Sequence, residues 1–419
     1  MPRRTALLNP LRTAVRVVRH AVGRADSDAV DTRSGLGGLG MTAVAAMPME
    51  PQVVAGATQP WFEGWFFRFT DHEAAVSVAV IFGSLRKRRR RRSSKTPLTQ
   101  KQTPPFDEHL LVLAYAAGNG TGASSQDHSV IIDDAESVRL TGGSATHDAS
   151  PQVTWWSDVY GGMRVDGDSA IVDVRLPTGL RLAANVSGSR VLWDPLRPNQ
   201  DGPEGWLSRT QLLPCHYFVH TFGSRATYEL RHSGNRALHL AGTSFAHIER
   251  NWGDAFPSGW VWAQASARAG SAFLVLTGGR FVIGPLTVDS YVIGLRIPRR
   301  TAIHAGWEGS SALSWDFRTT DLDRVSDVRR PCDGLLALNA TSRDRRRRLE
   351  LLLTAAPASF GARIPVPTLT DGFSANPGCR ESYKAHLTIR LYGTEVEGSG
   401  PVVIDAQMAV LEFGGEYQC

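Results

Sequence analysis

Between positions 61 and 69 the chain reads Trp-Phe-Glu-Gly-Trp-Phe-Phe-Arg-Phe. An extended backbone puts Trp61, Glu63, Trp65, Phe67 and Phe69 on one side and Phe62, Gly64, Phe66 and Arg68 on the other, so a carboxyl group stands between two indoles. In an apolar cavity such a group is short of water, which favours its neutral form and suits it to donate a proton. The competing reading is an ion pair between Glu63 and an arginine of a neighbouring strand. A second cluster runs from His247 to Gln264 as His-Ile-Glu-Arg-Asn-Trp-Gly-Asp-Ala-Phe-Pro-Ser-Gly-Trp-Val-Trp-Ala-Gln. Its Gly and Pro mark a turn, after which Trp260, Trp262 and Gln264 share one strand face and meet whatever Glu249 and Asn251 approach. In a third segment, His216-Tyr217-Phe218-Val219-His220, both imidazoles and Phe218 fall on one side. Histidines on such a face are more often satisfied core or rim groups than catalysts. The sequence carries no nucleophile elbow, phosphate-binding loop, dinucleotide fingerprint or metal-ligand spacing.

Strands must position these groups. From Trp61 onward, runs such as 75–85, 109–115, 180–186, 216–222 and 402–413 alternate with period two and are separated by Gly, Asp, Ser and Pro. No strand-then-helix rhythm appears, which argues against a parallel α/β fold. The expectation is an all-β protein with few helices, built as two antiparallel barrels or sandwiches over 46–210 and 211–419, with the boundary in the Pro- and Gly-rich segment 194–210. Residues 1–45 stand apart from this fold. Leu7, Leu8, Leu11, Val15, Val18 and Val22 recur at helical spacing, Arg12, Arg16 and Arg19 fall on another face, and no acid occurs before residue 25. That pattern resembles an organelle transit peptide, the alternative being a disordered basic tail.

The formal charge is +6, yet residues 1–24 supply six arginines and 86–92 seven consecutive basic residues, leaving −7 for the rest. The basic run has no interleaved aromatics on which bases would stack, and the body is acidic, so 86–105 reads as a solvated loop insertion and no nucleic-acid partner is expected. No apolar run reaches the roughly 18 residues of a membrane-spanning helix. Cys215, Cys332, Cys379 and Cys419 are dispersed and read as reduced thiols, with neither a zinc site nor a disulfide framework.

Four stretches together resemble the tocopherol cyclase family: W-F-E-G-W-F-F-R-F, E-R-N-W-G-D-A-F-P-S-G-W-V-W-A-Q, C-R-E-S-Y and M-A-V-L-E-F-G-G, in that order over roughly 55–415. The resemblance implies a pair of lipocalin-like β-barrels, closure of a prenylated hydroquinone to a chromanol, and a plastid setting, with the mitochondrion as the alternative organelle. The chemistry asks for an acid to protonate the prenyl alkene, an aromatic cavity to shelter the cation, and a phenol oxygen to capture it, with no redox cofactor or metal. Glu63 and Glu249 are then the candidate acids and His216 and Asn251 the candidate orienters of the phenol. Trp61, Trp65, Trp252, Phe256, Trp260, Trp262 and Gln264 are the candidate cavity walls. So apolar a substrate implies docking on a membrane or lipid droplet. Two alternatives stay open at this point: a carrier that binds an isoprenoid without chemistry, and a related isoprenoid hydratase or cyclase.

Overall fold

The computed structural model describes residues 49–51, 60–87, 106–118, 126–142, 151–195, 202–209, 213–283, 286–298, 313–368, 370–393 and 401–419. The expected targeting segment and residues 88–105 of the basic insertion lie outside them.

Antiparallel strands dominate, as the period-two pattern predicts. The first sheet contains eleven: β1 (Trp61–Asp71), β2 (Val76–Arg86), β3 (Glu108–Ala117), β4 (Gln126–Ile132), β5 (Val138–Gly142), β6 (Gln152–Ser157), β7 (Gly161–Asp166), β8 (Ser169–Arg175), β9 (Leu180–Ser187), β10 (Cys215–His232) and β11 (Asn235–Gly253). Their order is β4-β3-β2-β1-β11-β10-β9-β8-β7-β6-β5, so the last strand pairs with the first. The second sheet repeats this plan with β12 (Gly259–Ser266), β13 (Phe273–Ile283), β14 (Leu286–Ile297), β15 (Leu313–Arg318), β16 (Arg324–Arg330), β17 (Leu335–Thr341), β18 (Arg347–Thr354), β20 (Gly372–Gly393) and β21 (Val402–Gly415). Here β21 pairs with β12, and the short β19 (Ile364–Thr368) pairs with β20.

The sheets change over at 254–258, between β11 and β12, and not in the segment 194–210 where the boundary was expected. Among the described residues of that segment, Gly205–Arg209 forms a 3-10 turn. The strands that follow it, β10 and β11, nevertheless add to β9 and β1 of the first sheet, a pairing that local sequence does not announce.

Each sheet curls around its own core. Trp65, Phe67, Phe69, Trp155, Leu182 and Ile248 fill the first, and Trp315, Phe317, Leu338, Leu351, Ile389 and Leu411 the second. A third apolar layer joins the two, with Phe62, Phe66, Leu110 and Val112 from the first sheet against Trp260, Trp262, Phe373, Tyr383 and Val410 from the second. Strands β1, β11, β12, β20 and β21 therefore have one face in a barrel core and the other in this seam. Burial on both faces explains why β1 is apolar almost throughout instead of alternating with polar residues.

The cysteines correct an expectation. Cys332 and Cys419 form a disulfide, while Cys215 and Cys379 are free thiols. The bridged pair is 87 residues apart, and only the fold brings the turn after β21 beside the 3-10 turn Pro331–Asp333.

Candidate active site

The alternation read from β1 is present, but the face bearing Glu63 is the barrel side. Register pairs Glu63 with Trp252 and Trp65 with Arg250 across β1 and β11. Arg250 Nη2 lies 3.0 Å from Glu63 Oε2, both side chains fully buried, and Trp61 Nε1 donates to Glu63 Oε1 at 3.1 Å. The Arg250 guanidinium is packed between the rings of Trp65 and Trp252, 4.9 and 4.7 Å from their centroids. Burial brings the Arg250 pKa down to about 10, so it keeps its charge at neutral pH. Glu63 is thus the carboxylate of a structural ion pair, the competing reading of the sequence, and Trp61, Trp65 and Trp252 enclose that pair. His216 belongs to the same side: its Nδ1 lies 2.9 Å from Glu204 Oε2 and its ring stacks on Trp252.

A cavity of about 190 Å³ lies between the sheets, lined from β1 and β11 by Glu63, Trp65 and Arg250 as well as by residues of the opposite strand faces. The first sheet contributes Phe62, Phe66, Tyr217, Glu249 and Asn251, and the second Trp260, Trp262, Cys379, Glu381 and Glu412. Phe256, from the connection between the sheets, packs edge-on to Trp260 and against Phe62, with centroids 4.8 and 5.2 Å apart. Phe66 meets Trp262 edge-on at 4.9 Å. Asn251 faces Gly64 across the strand pair, and its amide oxygen occupies the space that a Cβ at position 64 would need. Gln264 is buried in the seam outside this lining, where it accepts a hydrogen bond from Arg68 Nη1. Of the sequence-predicted set, Glu63, Trp65, Glu249, Asn251, Phe256, Trp260 and Trp262 line the cavity, Glu63 with its carboxylate held by Arg250, whereas Trp61, His216, Trp252 and Gln264 do not.

Two glutamates that the sequence reading did not nominate complete the site. Glu381 on β20 and Glu412 on β21 are direct cross-strand partners, both buried, and they hydrogen-bond to each other. Burial, reinforced by the charge of Glu412, drives the Glu381 pKa well above the ordinary carboxylate value. Glu412 is also raised, by burial and by the field of Glu249, although hydrogen bonds from Glu381, Trp260 and Cys379 oppose this. Trp260 Nε1 donates to Glu412, and Tyr383 Oη donates to Glu381. Two adjacent buried carboxyl groups cannot both ionise at modest cost, so the pair retains a proton. The Cys379 thiol and these carboxyls place their ligand atoms within 4.8 Å of one another, a donor set able to hold a divalent ion. Both glutamates stand in the stretches that carry the resemblance, C-R-E-S-Y and M-A-V-L-E-F-G-G.

Two curled antiparallel sheets with an acid pair in an aromatic cleft between them define the class of protein. The chain belongs to the tocopherol cyclase-like family, whose model matches residues 59–415. It is 24% identical over 399 residues to the tocopherol cyclase, chloroplastic, of Zea mays, covering 86% of this chain and 76% of that protein. With a probable tocopherol cyclase, chloroplastic, of Oryza sativa subsp. japonica it shares 23% identity over 231 residues, 53% of this chain and 44% of the rice protein. The crystal structure of CghA matches with a TM-score of 0.51 at 12% identity, over 85% of this chain and 88% of that one, a likeness of lipocalin-like fold.

Proposed function

We propose that the chain is an enzyme that closes a prenylated hydroquinone to a chromanol. The observation that carries this reading is the buried cross-strand pair Glu381–Glu412 lining an aromatic cleft, where burial favours the protonated form. One carboxyl of the pair gives its proton to the trisubstituted alkene of the tail, and the positive charge falls on the tertiary carbon. Phe62, Phe66, Trp260 and Trp262 surround that carbon with ring faces and edges, each well-placed face contributing roughly 0.5 to 2 kcal/mol, while excluding water that would trap the cation as an alcohol. The phenol oxygen then forms the new C–O bond. Substrate and product are isomers, so the reaction consumes no redox equivalent. The Asn251 side chain has no hydrogen-bond partner among the described residues and borders the cavity, a suitable orienter of the hydroquinone head. A carrier has no use for a buried acid pair, which argues against the binding-only alternative.

The acid-free basic segment at residues 1–24 and the chloroplastic relatives support a plastid location. The isoprenoid tail of such a substrate supports delivery from a membrane or lipid-droplet surface. The test is anaerobic incubation of the protein with a phytyl hydroquinone, following chromanol by chromatography. Chromanol above the uncatalysed rate, lost in Glu381→Gln with binding retained, is the expected result; tight binding by the unaltered protein without product would replace the cyclase by the carrier.

A further inference from the structure

Alkene protonation accounts for half of the proton balance, because the phenol must also lose its hydrogen as the ring closes. Glu249 stands on the first-sheet wall of the cavity, on a different sheet from the acid pair, and Trp262, the cross-strand neighbour of Glu412, reaches over to donate its indole N–H to Glu249. Three donors converge on one of its oxygens: the Tyr217 hydroxyl, His247 Nε2 at 2.7 Å and Trp262 Nε1 at 3.3 Å. The second oxygen, Oε1, has no hydrogen-bond partner among the described residues, although the side chain is only 9% exposed. A carboxylate so anchored through Oε2 is held as an acceptor, with Oε1 left to the cavity.

We infer that Glu249 is the base of the ring closure, taking the phenol proton on Oε1 while the Glu381–Glu412 pair acts as the acid from the other wall. This inference rests on the cyclase reading. The alkene π pair takes a proton from the acid pair, leaving a tertiary cation and one additional negative charge on the pair. A phenol oxygen lone pair forms the C–O bond, the O–H bond gives its electrons back to oxygen, and the proton passes to Glu249. Transfer of that proton from Glu249 to the acid pair restores the starting state. Acid and base on opposite walls suit addition of hydrogen and oxygen to opposite faces of the alkene. Tyr217 and His247 act through Glu249 as positioning residues.

The experiment separates the two proton transfers. The full chain is incubated with a phytyl hydroquinone in D2O, and both chromanol and deuterium in the recovered substrate are measured. The unaltered protein is expected to give chromanol carrying one carbon-bound deuterium. Glu249→Gln is expected to lower chromanol about 100-fold or more while deuterium enters the alkene CH carbon and the carbons next to the alkene, because a cation that is not captured returns a proton to the acid pair. Glu381→Gln is expected to lose chromanol and exchange together. Tyr217→Phe removes a hydroxyl alone and keeps the test open should Glu249→Gln not fold; it is expected to cost about tenfold in chromanol with exchange retained. Loss of exchange in parallel with chromanol in Glu249→Gln or Tyr217→Phe, or full chromanol formation by Glu249→Gln, overturns the assignment of the base. Absence of both chromanol and exchange with the unaltered protein overturns the cyclase reading itself.

Discussion

Glu63 and Glu381 are both buried carboxyl groups among indoles and phenols, yet they are opposites. Glu63 faces a barrel core, where Arg250 supplies a full positive charge 3.0 Å away. Glu381 faces the seam, where its neighbour across the strands is a second carboxyl group and its pKa is driven up. Burial alone therefore does not make an acid; the sign of the nearest charge decides between a structural anion and a proton donor. Glu63 stands on β1 of the first sheet and Glu381 on β20 of the second.

The comparison breaks if Glu63 can be neutralised without harm. Glu63→Gln removes the carboxylate 3.0 Å from the buried Arg250 charge and leaves only the influence of Glu50, a change expected to cost about 3–5 kcal/mol in folding stability by denaturant unfolding. Among molecules that remain folded, chromanol formation is expected to persist. Glu381→Gln is expected to do the reverse, lowering cyclisation roughly 100-fold to 10,000-fold by removing the proton. The same change relieves the repulsion within the pair, so folding stability at neutral pH is expected to rise by about 0.5–2 kcal/mol. A stability loss as large as that of Glu63→Gln would place Glu381 in the structural class and sink the distinction.

The pH dependence sharpens the same contrast. The folded-state pKa of Glu381 is raised above its unfolded value near 4.5. Its contribution to stability is fully present below that value and is lost as pH rises through the folded pKa, because the folded state binds the extra proton. The expected slope is at most about 1.4 kcal/mol per pH unit for one proton, and Glu381→Gln should flatten it in unfolding curves taken at several pH values. Cyclisation by the unaltered protein is expected to fall over the same rise in pH. The smallest expected effect belongs to Trp260→Phe, which keeps a ring beside the cavity but removes the N–H donated to Glu412. A drop of about tenfold in turnover with little change in substrate affinity is expected, and a primary loss of affinity would make Trp260 only a wall.

Much of this molecule is legible in its residues. Period-two runs between turn residues specify antiparallel strands, the alternation along β1 sorts Trp61, Glu63 and Trp65 from Phe62, Gly64 and Phe66, and the motif around 249–264 brings Glu249 to Trp262 as read. What an alternating pattern leaves open is which side of a strand meets the substrate. With apolar neighbours on both faces of β1, no hydrophobic contrast distinguishes barrel core from seam, and alternation alone does not show that Arg250 stands beside Glu63. Sequence by itself determined strands, faces and an ample supply of aromatic and carboxyl groups, because these follow from local backbone geometry and side-chain chemistry. The tertiary structure alone decided that Arg250 neutralises Glu63 and that Glu381 meets Glu412. It alone also brings Cys332 to Cys419, and in each of these cases the physical reason is that charge, proton and disulfide partners are set by distance in space, which strand register and sheet packing fix between residues far apart in the chain.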